Sequence, residues 1–527
     1  MSSSRCCAGA QASSPPRPAP SAAVSSRRGA ALALLAVCLA ALAMPLSFTG
    51  PAVALPALRE ALGGGPVALN WVTNAFMLSF GATLMAAGAL ADVHGRRRVF
   101  LWGVAVVGAS ALALAGARGP GAILVFDGLR AVQGLGAAAA LAAGTAALAQ
   151  VFEGAQRMRA FSCVGTAFGV GLALGPLLSG WLLEHGGWRA VVLSVAVVAL
   201  AAWALGWRCL PESRNPQAQS LDRRGALAFT LALALLTWGV LQAPEQGWSD
   251  PATLLPLAGA ALAALVFVRV ELVSKHPMLD LSLFRLPRFV GVQLLAAAPA
   301  YAFVVLLVLL PVRFIGVEGM APMEAGWRML LLSLPMLAVP LLAGWLTRWC
   351  SAALQCLLGL LLCAAGLLWL AHCPPGTALA QMAGPLLLIG TGMGLPWGLM
   401  DGLAVSVVPR ERAGMATGIF STVRVAGEGI ALAVVGAGLA ALLAQELASQ
   451  IGRLDMDAHG FARAAQLLVT GDRQGAQALL QDMPGPALLA AYGRAFSTLL
   501  TVLAGITVAT ALSVFAFLRA GQRGPHA

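Results

Sequence analysis

Residues 88–98 read Gly88-Ala-Leu-Ala-Asp92-Val-His94-Gly95-Arg96-Arg97-Arg98. The stretch sets an acid, a histidine and three arginines between two apolar runs, roughly 70–91 and 99–117. A membrane-spanning helix needs about 20 consecutive apolar residues, and each run is of that order. A loop this short and this basic does not cross a bilayer, so it fixes how the two flanking helices are threaded. Gly95 supplies the tight turn between them.

The rest of the chain extends this pattern. Hydrophobic residues make up 59% of the 527 and charged residues only 10%, whereas a soluble domain carries about 25% charged residues. So few charges cannot build a water-facing surface. At the length a bilayer demands, the apolar runs predict about fourteen helices. They lie near 30–49, 70–91, 99–117, 121–148, 160–183, 188–207, 225–243, 252–273, 289–311, 325–347, 352–372, 382–405, 414–440 and 495–518. The fold class is therefore an all-α polytopic membrane protein. The runs 160–183 and 188–207 adjoin closely, which leaves twelve or thirteen spans as the alternative count.

A net charge of +12 would suggest nucleic acid for a soluble chain, but its distribution points elsewhere. If the termini and the 92–98 loop share one side, most of the 33 Lys and Arg fall on that side. Arg27, Arg28, Arg157, Arg159, Arg223, Arg224, Lys275, Arg285, Arg288, Arg410, Arg412 and Arg519 are among them. This bias predicts that both termini are cytoplasmic. The lipid bilayer is the expected partner, and nucleic acid is not. The nine cysteines are scattered without metal spacing, and a thiol within an apolar helix acts as a small hydrophobe. The six histidines form no ligand cluster. No metal, cofactor or disulfide is expected. A phosphate-cradling loop and a nucleophile–base constellation are both missing from the sequence, so neither ATP drive nor an enzyme is indicated.

The runs group as six, two and six. Residues 1–28 read as a disordered cytoplasmic tail, 29–210 as a six-helix bundle and 211–224 as a cytoplasmic linker. Two extra helices occupy 225–273 and a second linker 274–288. A second six-helix bundle spans 289–518, includes an outer loop at 444–494, and is followed by a tail at 519–527. The outer loop mixes charges with Leu and Ala at helical spacing, which predicts one or two short amphipathic helices. Helix 10 ends in GWLTRW, with Gly344, Thr347 and Arg348. This is a degenerate second copy of the 88–98 loop that has lost its acid. Two related bundles around a midplane site is a recurrent transporter plan.

Further stretches point the same way. Helix 4 carries Arg130-Ala-Val-Gln133-Gly134-Leu-Gly136, and helix 5 carries Gly165, Gly169, Gly171, Gly175, Pro176 and Gly180. Later come HPMLDLSLFRLPRF (276–289) and ERAGMATGIFSTVRVAGEG (411–429). In this order, with the 88–98 loop, they resemble the motifs of the major facilitator superfamily, specifically its fourteen-helix drug:proton antiporters. The resemblance runs from helix 1 to helix 14. It implies the major facilitator fold in a 6+2+6 arrangement, functional as a monomer. It also implies proton-driven export of lipophilic small molecules across the bacterial inner (plasma) membrane by alternating access. In that setting Gly88, Asp92, Gly95, Arg96, Arg97 and Arg98 form a gating loop, and the helix 5 glycines form a seam between the halves. A narrow-specificity metabolite transporter, or a non-transporting membrane sensor of the same fold, is the alternative.

The residues have physical readings of their own. Asp92 can pair with an arginine or cap a neighbouring helix N-terminus. Arg130 lies about ten residues into helix 4, where an unpaired guanidinium is costly, and Asp127 at i−3 is within reach as its partner. Glu428 stands midway along helix 13, one turn after Arg424, and Asp401 lies in helix 12. Membrane burial disfavours a charged carboxylate while a nearby arginine favours it, and proton exchange needs that balance. Asp127, Arg130, Glu428, Arg424 and Asp401 are therefore the proton-coupling candidates, each with an inert ion pair or a structural role as its alternative. Phe76, Met77, Met336, Trp397 and Met400 are candidates for an apolar substrate cavity.

The chain departs from the resemblance in helix 1. The fourteen-helix type carries an acid ahead of Ala-Leu-Pro, whereas this chain has Leu46-Ser47-Phe48-Thr49 ahead of Ala54-Leu55-Pro56. Serine cannot carry the proton, so the coupling acid is sought among the remaining carboxylates.

Overall fold

The computed structural model describes residues 27–119, 121–152, 154–214, 222–274, 281–407, 413–450, 458–480 and 483–520, and among these every regular element is helical. Lys275, Arg410, Arg412 and nearly all of both tails lie outside the described residues. So do parts of both linkers and of the 276–289 and 411–429 stretches. Helices α1 (Arg27–Leu62), α2 (Pro66–His94), α3 (Arg96–Ala115) and α4 (Ile123–Val151) come first. A continuous run, Gly154–Cys209, follows. As one helix it would be over 80 Å long at about 1.5 Å per residue, far beyond a bilayer. It turns at Gly187, whose φ of 67° and ψ of −176° are non-helical. That left-handed φ suits glycine, and it divides the run into α5 (154–186) and α6 (188–209).

Next are α7 (Arg223–Gln246) and α8 (Pro251–Val273), each capped by an aspartate. Asp222 accepts from the Gly225 N–H and Asp250 from the Ala252 N–H, both at 2.8 Å, which satisfies otherwise orphaned donors. The chain continues through α9 (Pro287–Val317), α10 (Pro322–Leu346), α11 (Ala352–Ala371), α12 (Leu379–Ser406) and α13 (Ala413–Gln450). Two short helices, α14 (Ala458–Val469) and α15 (Arg473–Leu479), precede the long α16 (Gly485–Ala520). Among the described residues, thirteen helical runs are long and apolar enough to cross a membrane. The turn at Gly187 makes one of them two, giving fourteen crossings.

Packing sorts the helices into two groups and a peripheral pair. In the first group α1 packs on α5, α2 and α3 pack on α4, and α3 packs on α6, where Gly206 faces the Phe100 ring. In the second, α11 packs on α12 and α16, α10 on α12, and α9 on α16. The groups meet along α5–α10, α2–α13 and α1–α9. The pair α7–α8 lies outside both. Leu233 of α7 shares an apolar cluster with Leu78 and Ala82 of α2 and Ala426 of α13, so α7 touches both halves. Helix α8 packs chiefly on α7, and its span is only 17% buried, which leaves most of it to face lipid.

One end of the bundle carries the Gly95 turn, the other the Gly187 turn and the helices α14 and α15. The apolar run predicted to stop at Pro311 instead continues to Val317. Helix α9 carries π-helical turns at Ala300–Val304 and Val312–Val317, on either side of its ordinary helical stretch. A π turn shifts the hydrogen-bond pattern, and the helix runs on through Pro299 and Pro311.

Candidate functional site

Around the Gly95 turn, which has a φ of 107°, the arginines are tied to their own half. Arg96 donates to Asp92 Oδ1 through Nε (3.0 Å) and Nη2 (2.8 Å), and through Nη1 to the Ala146 carbonyl of α4 at 3.3 Å. Asp92 thus takes the arginine rather than a helix N-terminus as its partner. Arg97 donates to the Trp207 carbonyl, and Arg98 lies 3.6 Å from Glu212. The Arg96 N–H bonds the Ser213 carbonyl at 2.9 Å, and the Glu212 carboxylate fills the space where a Gly95 Cβ would stand. Segment 210–214 therefore docks on this loop, a contact that loop sequences alone do not announce. Gly88 has open space around it. At the degenerate copy, Thr347 Oγ1 bonds the Gly344 carbonyl at 2.7 Å, and the Trp345 and Trp349 rings stack edge-on at 4.2 Å.

Arg130 is fully buried between α4 and α2. Its Nε donates to the Val72 carbonyl at 2.8 Å, its Nη1 donates to Gln133, and the guanidinium lies 4.7 Å from the Phe76 ring centre. No ion pair joins it to Asp127, contrary to the pairing expected at i−3. The side chain reaches across to α2 instead, while Asp127 Oδ1 and Arg130 Nη2 find no hydrogen-bond partner. A Cβ on Gly134 would overlap Ser79 and the Phe76 carbonyl, so Gly134 is what brings α2 this close. Phe76 therefore lies under Arg130 at the contact of α2 with α4.

The helix 5 glycines divide between two neighbours. Gly171 abuts Leu42 and Pro45 of α1, and Gly175 abuts Thr49. Gly180 meets the Pro322 carbonyl of α10, the Pro176 carbonyl lies against Gly326, and Gly169 faces the Met336 carbonyl at 3.6 Å. Only this second set lies between the halves. Gly165 meets nothing within 4 Å.

The remaining charges gather on α12 and α13. Arg424 Nη1 lies 3.7 Å from Asp401 Oδ1, with Arg424 17% and Asp401 69% exposed. The guanidinium sits 5.7 Å from the Trp397 ring and 5.4 Å from Phe420, an arrangement that favours a cation. Arg424 thus pairs across to α12 and not with Glu428 one turn on, as the spacing had suggested. Glu428 is only 4% exposed. It stands where α13 crosses α2: the Ala426 backbone meets Gly81, and Gly429 lies on Met77 and Leu78. Met77, Met336 and Met400 are all buried, and Trp397 alone of the cavity candidates adjoins the charged pair.

Two buried clusters escaped the sequence reading. Arg313, 1% exposed, donates from Nε to Glu318 at 2.6 Å and from Nη2 to the Cys373 carbonyl at 3.0 Å, while Glu318 accepts from the Gly376 N–H. Arg328 donates to Glu324 and to the Thr377 carbonyl. Arg313 fell in what the sequence marked as a loop, 312–324, where charges need no explanation, whereas Arg328 lay inside the predicted helix 325–347 and was passed over. The continuation of α9 past Pro311 is what buries Arg313.

A family model described as Major Facilitator Superfamily matches residues 35–452. The cephamycin export protein CmcT of Amycolatopsis lactamdurans is 35% identical over 419 residues, covering 77% of this chain and 84% of that protein. The multidrug resistance protein Stp of Mycobacterium tuberculosis is 32% identical over 405 residues, covering 76% and 74%. The tetracenomycin C resistance and export protein of Streptomyces glaucescens is 30% identical over 415 residues, covering 76% and 74%. Among solved structures, a bacterial homologue of the human lysosomal transporter Spinster, inward-facing and unoccupied, superposes with a TM-score of 0.64 at 17% identity. That superposition covers 95% of this chain and all of the solved one. With fourteen membrane crossings, twelve of them in two packed groups, and a family match over most of its length, the chain belongs to the major facilitator superfamily.

Proposed function

We propose that this protein exports lipophilic small molecules across the bacterial inner membrane, driven by inward proton flow. Both termini and the Gly95 end face the cytoplasm, following the charge bias, and the Gly187 end faces outward. The names of relatives at 30–35% identity, for multidrug, cephamycin and tetracenomycin C export, support the export direction. The observation that carries proton coupling is Glu428, a carboxylate buried in a membrane helix at the α2–α13 crossing between the halves. An acid in that place is costly when charged and unpaired, and such residues mark proton and substrate paths.

The chemistry is a choice of partner for one guanidinium. With Glu428 protonated and neutral, Arg424 rests on Asp401. Loss of the proton leaves a buried anion one helical turn from Arg424 and draws the arginine away from the exposed Asp401. Because Glu428 sits between contacts of α13 with α2, that exchange bears on the seam where the halves rock. Asp127, unpaired at one oxygen beside the buried Arg130, is the second candidate. Ser47 takes no part in proton transfer; its hydroxyl donates to the Ala43 carbonyl at 2.7 Å. The protein works as a monomer in this reading.

Efflux of a lipophilic dye from energised cells tests the proposal. A proton uncoupler should abolish it, and efflux that survives the uncoupler would remove proton drive. A second reading, export of a single natural product, is favoured by the two relatives whose names specify one compound. A panel of unrelated probes separates the two, since a narrow exporter moves none but its own class.

A further inference from the structure

Helices α14 and α15 lie over the Gly187 end and are fastened to the second half by backbone. Helix α14 packs along α13, with Ala464, Ala465 and Leu468 buried. Between the two short helices, Gly471 (φ 83°) comes so close to Gly316 of α9 that a Cβ on Gly316 would overlap its backbone. Arg473 adds a hydrogen bond to the Val317 carbonyl at 3.4 Å. Such close approach leaves no room for the segment to slide on α9.

Toward the first half the packing is looser, a Cβ on Gly471 standing 3.6 Å from the Pro56 ring of α1, and a charged contact is added to it. Among the described residues, the ion pair from this segment to that half is Asp472 with Arg59, near the end of α1. Asp472 divides its oxygens: Oδ1 accepts the Gly475 N–H at 2.6 Å and so caps α15, while Oδ2 meets Arg59. The side chains are 9% and 27% exposed, so salt screens the pair less than a surface one. Rocking of the halves would pull these side chains apart while leaving the Gly316–Gly471 packing whole.

We propose that segment 458–480 is a lid carried by the second half, and that the Arg59–Asp472 pair is the latch holding it shut over the outer opening. The inference rests on the alternating-access reading, with the Gly187 end outside. Closure then includes an electrostatic contact between α1 and the lid, and opening outward requires that it break.

The test reads opening directly. Ser47 is buried in α1, twelve residues before Arg59 and so about 18 Å deeper at helical rise. In the full chain bearing Ser47→Cys, labelling by a membrane-impermeant maleimide added outside intact cells reports access from the outer face. The rate is taken above that of the same chain retaining Ser47. Asp472→Asn keeps a side chain able to cap α15 but loses the charge. It should raise the rate on the order of fivefold, the effect expected from removing one partly exposed ion pair. Arg59→Gln should match it, and Arg59→Lys should stay near the unmodified rate. Unchanged labelling in Asp472→Asn and Arg59→Gln would overturn the latch, as would an equal rise in Arg59→Lys. Labelling does not depend on which compound or ion is carried. A chain that exports no probe yet shows this pattern would lose the export reading and keep the lid.

Discussion

Arg130 shows how a residue's importance and its partner are legible to different degrees. A guanidinium inside an apolar run is conspicuous, and the structure buries it completely. Sequence proximity nominated Asp127, but the hydrogen bonds come from Val72, 58 residues earlier, and from Gln133. Arg130→Lys keeps the charge but cannot reproduce this fork. It should lower stability by about 1–3 kcal/mol, the cost of stranding buried polar groups, seen as a lower unfolding temperature in detergent. An unchanged midpoint would mean the bonds to α2 contribute nothing. The same limit applies at Glu428 and Arg424, whose i+4 spacing suggested a pair while Asp401 on α12 supplied it. Side chains on neighbouring helices are invisible to a one-dimensional pattern. Ser47 carries a prediction of its own. Ser47→Asp restores an acid to α1, and it should favour a lipophilic cation over a neutral probe in paired efflux assays. Equal change for both probes would show that this position does not sense substrate charge.

At the level of elements, hydrophobic run length fixed the number of crossings because the bilayer sets one length for all of them. Boundaries were less legible where backbone geometry departed from the plain helix. Pro311 looked like an end, yet π turns carry α9 onward, and Arg313 becomes a buried charge rather than a loop residue. The glycines of α5 were read as one seam, although a helix has faces, and theirs point at two neighbours. A direct comparison follows within this one helix. Gly180→Ala places a methyl against the Pro322 carbonyl and should destabilise the closed contact with α10 by about 1–3 kcal/mol through overpacking. Gly165→Ala, in open space, should be tolerated within about 0.5 kcal/mol. Thermal unfolding of the two variants checks this, and equal effects would contradict the assignment of Gly180 to the seam.

In the whole molecule, two six-helix groups meet along three helix pairs, with α7 bridging them from outside. The Gly187 end is held by polar contacts across the halves. Arg59 meets Asp472, and Glu184 of α5 accepts the Met323 N–H of α10 at 2.9 Å. At the opposite end the signature arginines bind α4, Trp207 and segment 210–214 of their own half. This asymmetry puts the closed seam at the Gly187 end, the outer one in the proposed orientation, and leaves Asp401 exposed toward the Gly95 end. The central claim is that Glu428 couples proton entry to substrate exit. It is tested most directly in everted membrane vesicles, by following the fluorescence of a pH-sensitive dye quenched by an imposed proton gradient. Adding a transported substrate should dissipate the gradient with the native chain and leave it intact with Glu428→Gln at equal protein levels. Substrate-driven proton movement undiminished in Glu428→Gln would contradict the account.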